Sequence, residues 1–186
     1  GVEPQSETVW RQADKYDVPR ICFANKMDKM GADFYMTLDS IRTRLSKKAF
    51  PIQLPIGAES DHIGVVDLVA EKAYKFEGDF GQNIIEIDIP EDMKADVEKY
   101  RGELLEKIAE ADDTIMEKYL GGEALSIEEV NTAIRAMVLS NELYPVMCGS
   151  ALANIGVQIA LDAVISYLPS PLDVPDIEAT EVKDET

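Results

Sequence analysis

Two short apolar runs, far apart in the chain, constrain the fold more than any other feature. They are Arg20-Ile21-Cys22-Phe23-Ala24 and Tyr144-Pro145-Val146-Met147-Cys148. Neither alternates between apolar and polar residues, so each reads as a strand buried on both faces, as strands of a parallel sheet are. Helical patterns flank them. Gln5 to Tyr16 repeats Val9, Trp10, Ala13 and Tyr16 at helical spacing, with Pro4 suited to a helix start. Asp33 can cap a helix whose apolar stripe is Phe34, Leu38, Ile41 and Leu45. After the second run, Val157, Leu161, Val164 and Leu168 mark an amphipathic helix that ends before Pro169.

Between these parts the texture changes. Residues 51–89 hold four strand-like stretches, Ile52–Ile56, Ile63–Val69, Ala73–Phe76 and Ile84–Ile89, separated by Gly- and Asp-rich breaks. They predict a small, mainly antiparallel sheet. A helical block follows, with Met93, Val97, Tyr100, Leu104 and Ile108 on one stripe and a break at Asp112-Asp113. Ile115, Tyr119 and Leu120 continue beyond the break, and Gly121-Gly122 stops the helix. Ser126 and Glu129 form a capping-box pattern ahead of Ile127, Val130, Ile134 and Val138. The expected organisation is α/β. Residues 1–49 and 143–170 belong to a doubly wound domain, 50–142 are an inserted α+β subdomain, and 171–186 are a linker.

Charge narrows the partners. The chain carries a net charge of −18, and residues 88–129 alone hold 14 acidic against 5 basic residues. Phosphate backbones are bound by clustered Lys and Arg, so this segment is expected to bind little nucleic acid directly. An acidic face suits a basic protein partner, or simply keeps the chain in solution. No apolar run approaches the ~18 residues of a membrane span. Cys22 and Cys148 each lie in an apolar run and read as packing residues in a reducing compartment. With one His, the cysteines offer no four-ligand zinc set without carboxylates, and no metal site is expected. His62, in a Gly-flanked polar loop, reads as solvated, and Trp10 as core.

The chemistry sits at the ends of the two strands, where ligands of open α/β sheets bind. Asn25-Lys26-Met27-Asp28 follows the first. Guanine presents two adjacent donors, N1–H and the 2-amine, and one ionised carboxylate, Asp28, can accept both. Lys26 has an aliphatic stem able to cover a face of the base, and Asn25 an amide able to tie the loop to nearby backbone. Gly149-Ser150-Ala151 follows the second strand. A turn of small residues can bring a backbone N–H to the base oxygen, and Ser150 can donate to Asp28. Alone the turn is a weak signal; paired with Asn-Lys-x-Asp it becomes a strong one.

These residues carry a resemblance to the elongation factor G family. Asn25 through Phe34 resembles its guanine-specificity loop and following helix, and Gly1 through Ala13 resembles the stretch before it. Gln53-Leu54-Pro55-Ile56-Gly57 is similar to the start of its inserted subdomain, and Tyr167-Leu168-Pro169-Ser170-Pro171 to its exit toward a second domain. The likeness is weakest between about Ala70 and Ser140. It implies a partial P-loop GTPase fold from a ribosomal translocase, with GTP or GDP held through Asn25, Lys26, Asp28, Ser150 and Ala151, and with Leu152 near the other face of the base. It also implies ribosome and ribosomal-stalk partners and a cytoplasmic or organellar-matrix setting.

No G-x-x-x-x-G-K-[ST] occurs in the chain. The resemblance places the phosphate loop, switch threonine and Mg²⁺-side motif ahead of Gly1. The expectation is therefore a piece without catalytic residues or a Mg²⁺ site, inactive alone and self-associating through an exposed sheet edge. Two other readings stand beside it: an acidic interaction module that docks the stalk, and a piece of a sibling factor of the ribosome-protection or release type. The opening Pro-Gln-Ser-Glu-Thr-Val-Trp and the Pro-Ser-Pro exit favour the elongation factor.

Overall fold

The protein is described from a computed structural model, for residues 1–78 and 81–173. The expected linker lies, from residue 174 onward, outside the described residues. Both apolar runs form strands. Cys22–Ala24 (β1) and Tyr144–Cys148 (β7) pair in parallel, with Ala24 opposite Cys148. A third strand, Ala49–Pro51 (β2), pairs in parallel with the other side of β7, giving the order β1-β7-β2. The sequence pattern predicts no strand there. A three-residue strand ending in Pro is too short to show a period.

The four strand-like stretches form an antiparallel meander of Gln53–Ile56 (β3), Gly64–Asp67 (β4), Lys72–Glu77 (β5) and Asn83–Ile87 (β6). Ile52 joins the two sheets. Its N–H donates to Val146 O (3.0 Å) in the parallel sheet, and its carbonyl accepts from Leu68 N–H (3.0 Å) beside the antiparallel one. A single residue therefore serves both ladders, and the second sheet starts at a fixed angle from the first.

Among the described residues, six helices surround the sheets: Pro4–Lys15 (α1), Phe34–Arg44 (α2), Lys94–Ala109 (α3), Asp113–Leu120 (α4), Ile127–Leu139 (α5) and Val157–Tyr167 (α6). Their starts follow local chemistry. Asp33 accepts from Met36 N–H, and Asp112 accepts from Thr114 and Ile115 N–H at the expected break. Ser126 and Glu129 complete a reciprocal capping box. One core packs α2 under β3, β4 and β5; another packs α3, α5 and α6 around β7, with Leu104, Ile108, Ile134 and Val138 fully enclosed.

Several helix positions differ from expectation: Tyr119 and Leu120 at the end of α4 and Ile127 at the start of α5 are exposed, where fraying ends leave the core. In α1 only Trp10 is buried, edge-on to Tyr144 (4.8 Å) and under the Arg20 guanidinium; Val9 and Tyr16 are exposed. The outer edge of β1 has no partner strand among the described residues. A groove of about 740 Å³ runs along it, lined by Val9, Phe23, Ile41 and Leu45. The helix overhangs that groove, so its second apolar position has nothing to cover. In α6 the buried positions are Ala163 and Tyr167, whereas Leu161, Val164 and Ile165 are exposed. This helix is apolar almost all round, so periodicity does not fix its inward face. The small Ala163 allows close approach, and Tyr167 hydroxyl donates to Asn131 on α5 (2.5 Å).

Candidate functional site

The parallel register of β1 and β7 sets the two motif loops side by side. Gly149 N–H donates to Ala24 O (3.1 Å), and Met27 N–H donates to Gly149 O (3.1 Å), so the ladder continues past the strand ends into the loops. Asn25 Oδ1 accepts from Ala151 N–H (3.0 Å) and from Lys26 N–H (2.7 Å). This is the tie between loop and backbone that the amide was expected to make. It also means that the Ala151 N–H already has an acceptor, and Ser150 N–H is taken by Ile155 O (3.0 Å). A base oxygen at this turn would share the Ala151 donor or displace Asn25 from it.

Met27, apolar within a polar loop, is 3% exposed and packs in the core below. It acts as the peg of the loop. Its neighbours Lys26 and Asp28 are thereby pushed outward, Lys26 with a left-handed backbone (φ 64°). The turn is closed by Lys29 N–H to Lys26 O (3.1 Å) and Ala32 N–H to Lys29 O (3.0 Å).

Asp28 has two unlike carboxylate oxygens. Oδ2 pairs with Lys29 Nζ at 2.6 Å, an exposed contact of small net worth. Oδ1 is enclosed and has no hydrogen-bond partner of ordinary geometry. The Lys29 ammonium first, and the nearby Ser150 second, hold the carboxyl down to about 2. Asp28 is therefore an ionised acceptor; a ligand with adjacent donors reaches both its oxygens only once Lys29 releases Oδ2 and Oδ1 turns outward. Leu152 is 79% exposed, an apolar side chain in solvent next to the Asn25–Ala151 tie.

The structure corrects the reading of His62. It is 4% exposed, not solvated, and neither ring nitrogen completes a hydrogen bond. The chain turns back tightly at Gly57, where a Cβ would stand 1.9 Å from Asp61 O and 3.2 Å from His62 N. Burial lowers its pKa from 6.5. A lowered folded pKa means that the unfolded chain binds the proton more readily. Stability is then full above about 6.5 and is lost as pH falls toward the folded value. His62 is the chain's one histidine. His62→Leu is expected to flatten urea-midpoint stability between about pH 7 and 5, relative to the parent. Parallel curves would show that the ring does not titrate in this window.

Cys148 is buried and Cys22 half-buried; both are free, and burial raises both thiols, Cys22 to about 11. Among the described residues no group of three or more His, Cys, Asp or Glu is placed to hold a metal ion.

A parallel α/β sheet with an enclosed, ionised carboxylate at one strand end, tied to a small-residue turn at the next, defines a nucleotide-binding domain of the P-loop GTPase class in part. The family model for the elongation factor Tu GTP-binding domain matches residues 1–170, and the chain belongs to that family. Its fold is similar to a crystal structure of a Thermus thermophilus protein, with a TM-score of 0.82 and 34% sequence identity over 93% of this chain. The chain spans 26% of that protein's length. The match assigns the chain to a GTP-binding-domain family of the translational type.

Glu59 and Gly31 are parts of the site that sequence reasoning does not reach. Gly31 N–H donates to Glu59 Oε1 (2.6 Å), and Glu59 N–H donates to Met27 O (3.0 Å). They lie about thirty residues apart, and no local pattern signals such a contact. The apolar Met27 inside a polar loop is the available clue that something holds the loop from beneath.

Proposed function

We propose that this chain supplies the guanine-reading face of a ribosomal translocation GTPase of the elongation factor G kind. The observation that carries the proposal is Asp28, an ionised carboxylate beside Ser150 just past the end of β1, on a loop tied to Ala151 through Asn25. In this reading Asp28 accepts guanine N1–H and the 2-amine. The Lys26 stem covers one face of the base and Leu152 the other. Asn25, Ser150 and Ala151 hold the two loops in register.

Adenine offers no matching donor pair, so binding it would leave the carboxylate unsatisfied, a penalty worth ~10⁴-fold in discrimination. The test is competition against a fluorescent GDP analogue bound to the full-length protein that carries this chain. Unlabelled GDP should displace it and ADP should not, even at about a thousandfold excess. Equal competition by the two would sink the reading.

A second reading rests on the surface. Glu98, Glu106, Glu110, Asp112, Asp113 and Glu117 on or between α3 and α4 are all exposed. A predominantly acidic surface suits fast, salt-sensitive docking to a basic protein, and in this family the proposal is the ribosomal stalk.

A further inference from the structure

We propose that Glu59 is a positioning residue for the guanine-reading carboxylate, acting from the antiparallel sheet through the loop that bears Asp28. The inference rests on reading Asp28 as the guanine acceptor. Glu59 stands just after β3, on the short turn that leads into β4. Its two bonds bracket Asp28. The backbone N–H of Glu59 donates to Met27 O (3.0 Å), one residue before Asp28. Its carboxylate accepts from Gly31 N–H (2.6 Å), three residues after. Backbone and side chain of one residue thus clamp both ends of the turn whose middle presents the reading group.

The turn that delivers Glu59 is itself held in an uncommon form. Glu59 has a left-handed backbone (φ 52°), which a long side chain adopts only where its surroundings impose it. Gly57 (φ 76°) has no room for a side chain, because a Cβ there would stand 1.9 Å from Asp61 O. His62, at the end of the same turn, is buried. Nothing in this arrangement builds a large core. Glu59 is exposed, and so is Gly31. The strain therefore holds one product in place: an acceptor directed at the Gly31 amide.

The carboxylate's contact is also separable from the fold. Glu59→Gln keeps an oxygen in the same position, whereas Glu59→Ala removes it and leaves the Gly31 amide to water. Loss of one charge-assisted bond from a specificity loop corresponds to about a tenfold effect. The decisive readout is a ratio. Inosine diphosphate lacks the 2-amine, so the GDP-to-IDP affinity ratio reports how well Asp28 meets that donor. A residue that only stabilises the fold would weaken both nucleotides alike.

Both affinities should be measured on the full-length protein by displacement of fluorescent GDP. Glu59→Ala should weaken GDP by about tenfold and shrink the GDP-to-IDP ratio by at least about threefold, with Glu59→Gln restoring both to within about twofold. Amide hydrogen exchange at Gly31 should quicken in Glu59→Ala and not in Glu59→Gln. Asp28→Ala is the control for the underlying reading, which fails if that variant leaves the ratio unchanged. With the Asp28 control positive, an unchanged ratio in Glu59→Ala overturns the role of Glu59. So does a loss in Glu59→Gln as large as in Glu59→Ala.

Discussion

Asp28→Asn is expected to lower affinity for GDP by about a thousandfold while raising affinity for xanthosine diphosphate. The exchange turns one acceptor oxygen into a donor amide. Guanine then meets a donor where it offers its 2-amine, and two donors face each other in an enclosed place. Xanthine has a carbonyl at that position and accepts the new N–H. The expected size follows from the enclosed Oδ1, which has little access to water to soften the mismatch. Stability should change little, because the exchange weakens a partly exposed ion pair with Lys29 and leaves Ser150 an amide oxygen to meet. Parallel titrations of the two nucleotides, with a urea melt of the same variant, check both halves. Unchanged GDP affinity would remove Asp28 from base recognition. The carboxyl is held down to about 2, so the parent's GDP affinity should not fall through Asp28 protonation between neutral pH and about 5.

The share of this that was legible in the sequence divides along physical lines. Tyr144–Cys148 was legible because burial on both faces leaves an unbroken apolar run, and every residue of it is buried; Cys22–Ala24 is a strand too, but Cys22 and Phe23 are only half-buried at its open edge. The caps at Asp33 and Ser126 were legible because capping is a local bond between residues three apart, whereas Asp112 was legible only as a break. The inward face of α6 was not, since Val157, Leu161, Val164 and Ile165 compete with Ile159, Ala163 and Tyr167 for burial on an almost wholly apolar helix. His62 was misread because flanking polar residues say nothing about a ring that tertiary packing buries. Asn25, Lys26, Asp28 and Ser150 were named as candidates from their chemistry and Leu152 from the resemblance, and the structure brings Asn25 and Ala151 into contact. Their support from Glu59 depends on a turn in the other sheet, a tertiary contact that neither period nor motif encodes.

Gly149→Ala is expected to be the most disruptive single methyl in the site. Gly149 is in the turn after β7, and its own peptide joins the two loops. Its N–H reaches Ala24 O and its carbonyl receives Met27 N–H. A Cβ at this position would lie 2.2 Å from Ile155 O and 2.8 Å from the Phe23 ring. Phe23 is held in β1, opposite Met147, and the Ile155 carbonyl is fixed by accepting from Ser150 N–H (3.0 Å). The Phe23 contact is a ring tip beside the groove, but the Ile155 oxygen is backbone, so relief requires moving backbone. The cost is therefore at the upper end for an overpacked core, about 3 kcal/mol. The direction of relief matters as much as the cost. Pushing Gly149 away from Phe23 and Ile155 separates β7 from β1, breaking the Met27 and Ala24 bonds together. The Asn25–Ala151 tie, one step further along the turn, opens with them. The variant should therefore lose stability in a urea titration and also lose GDP affinity by more than about tenfold under conditions where it remains folded. A folded variant that binds GDP like the parent would show that the two loops can part at Gly149 without disturbing the group that reads the base.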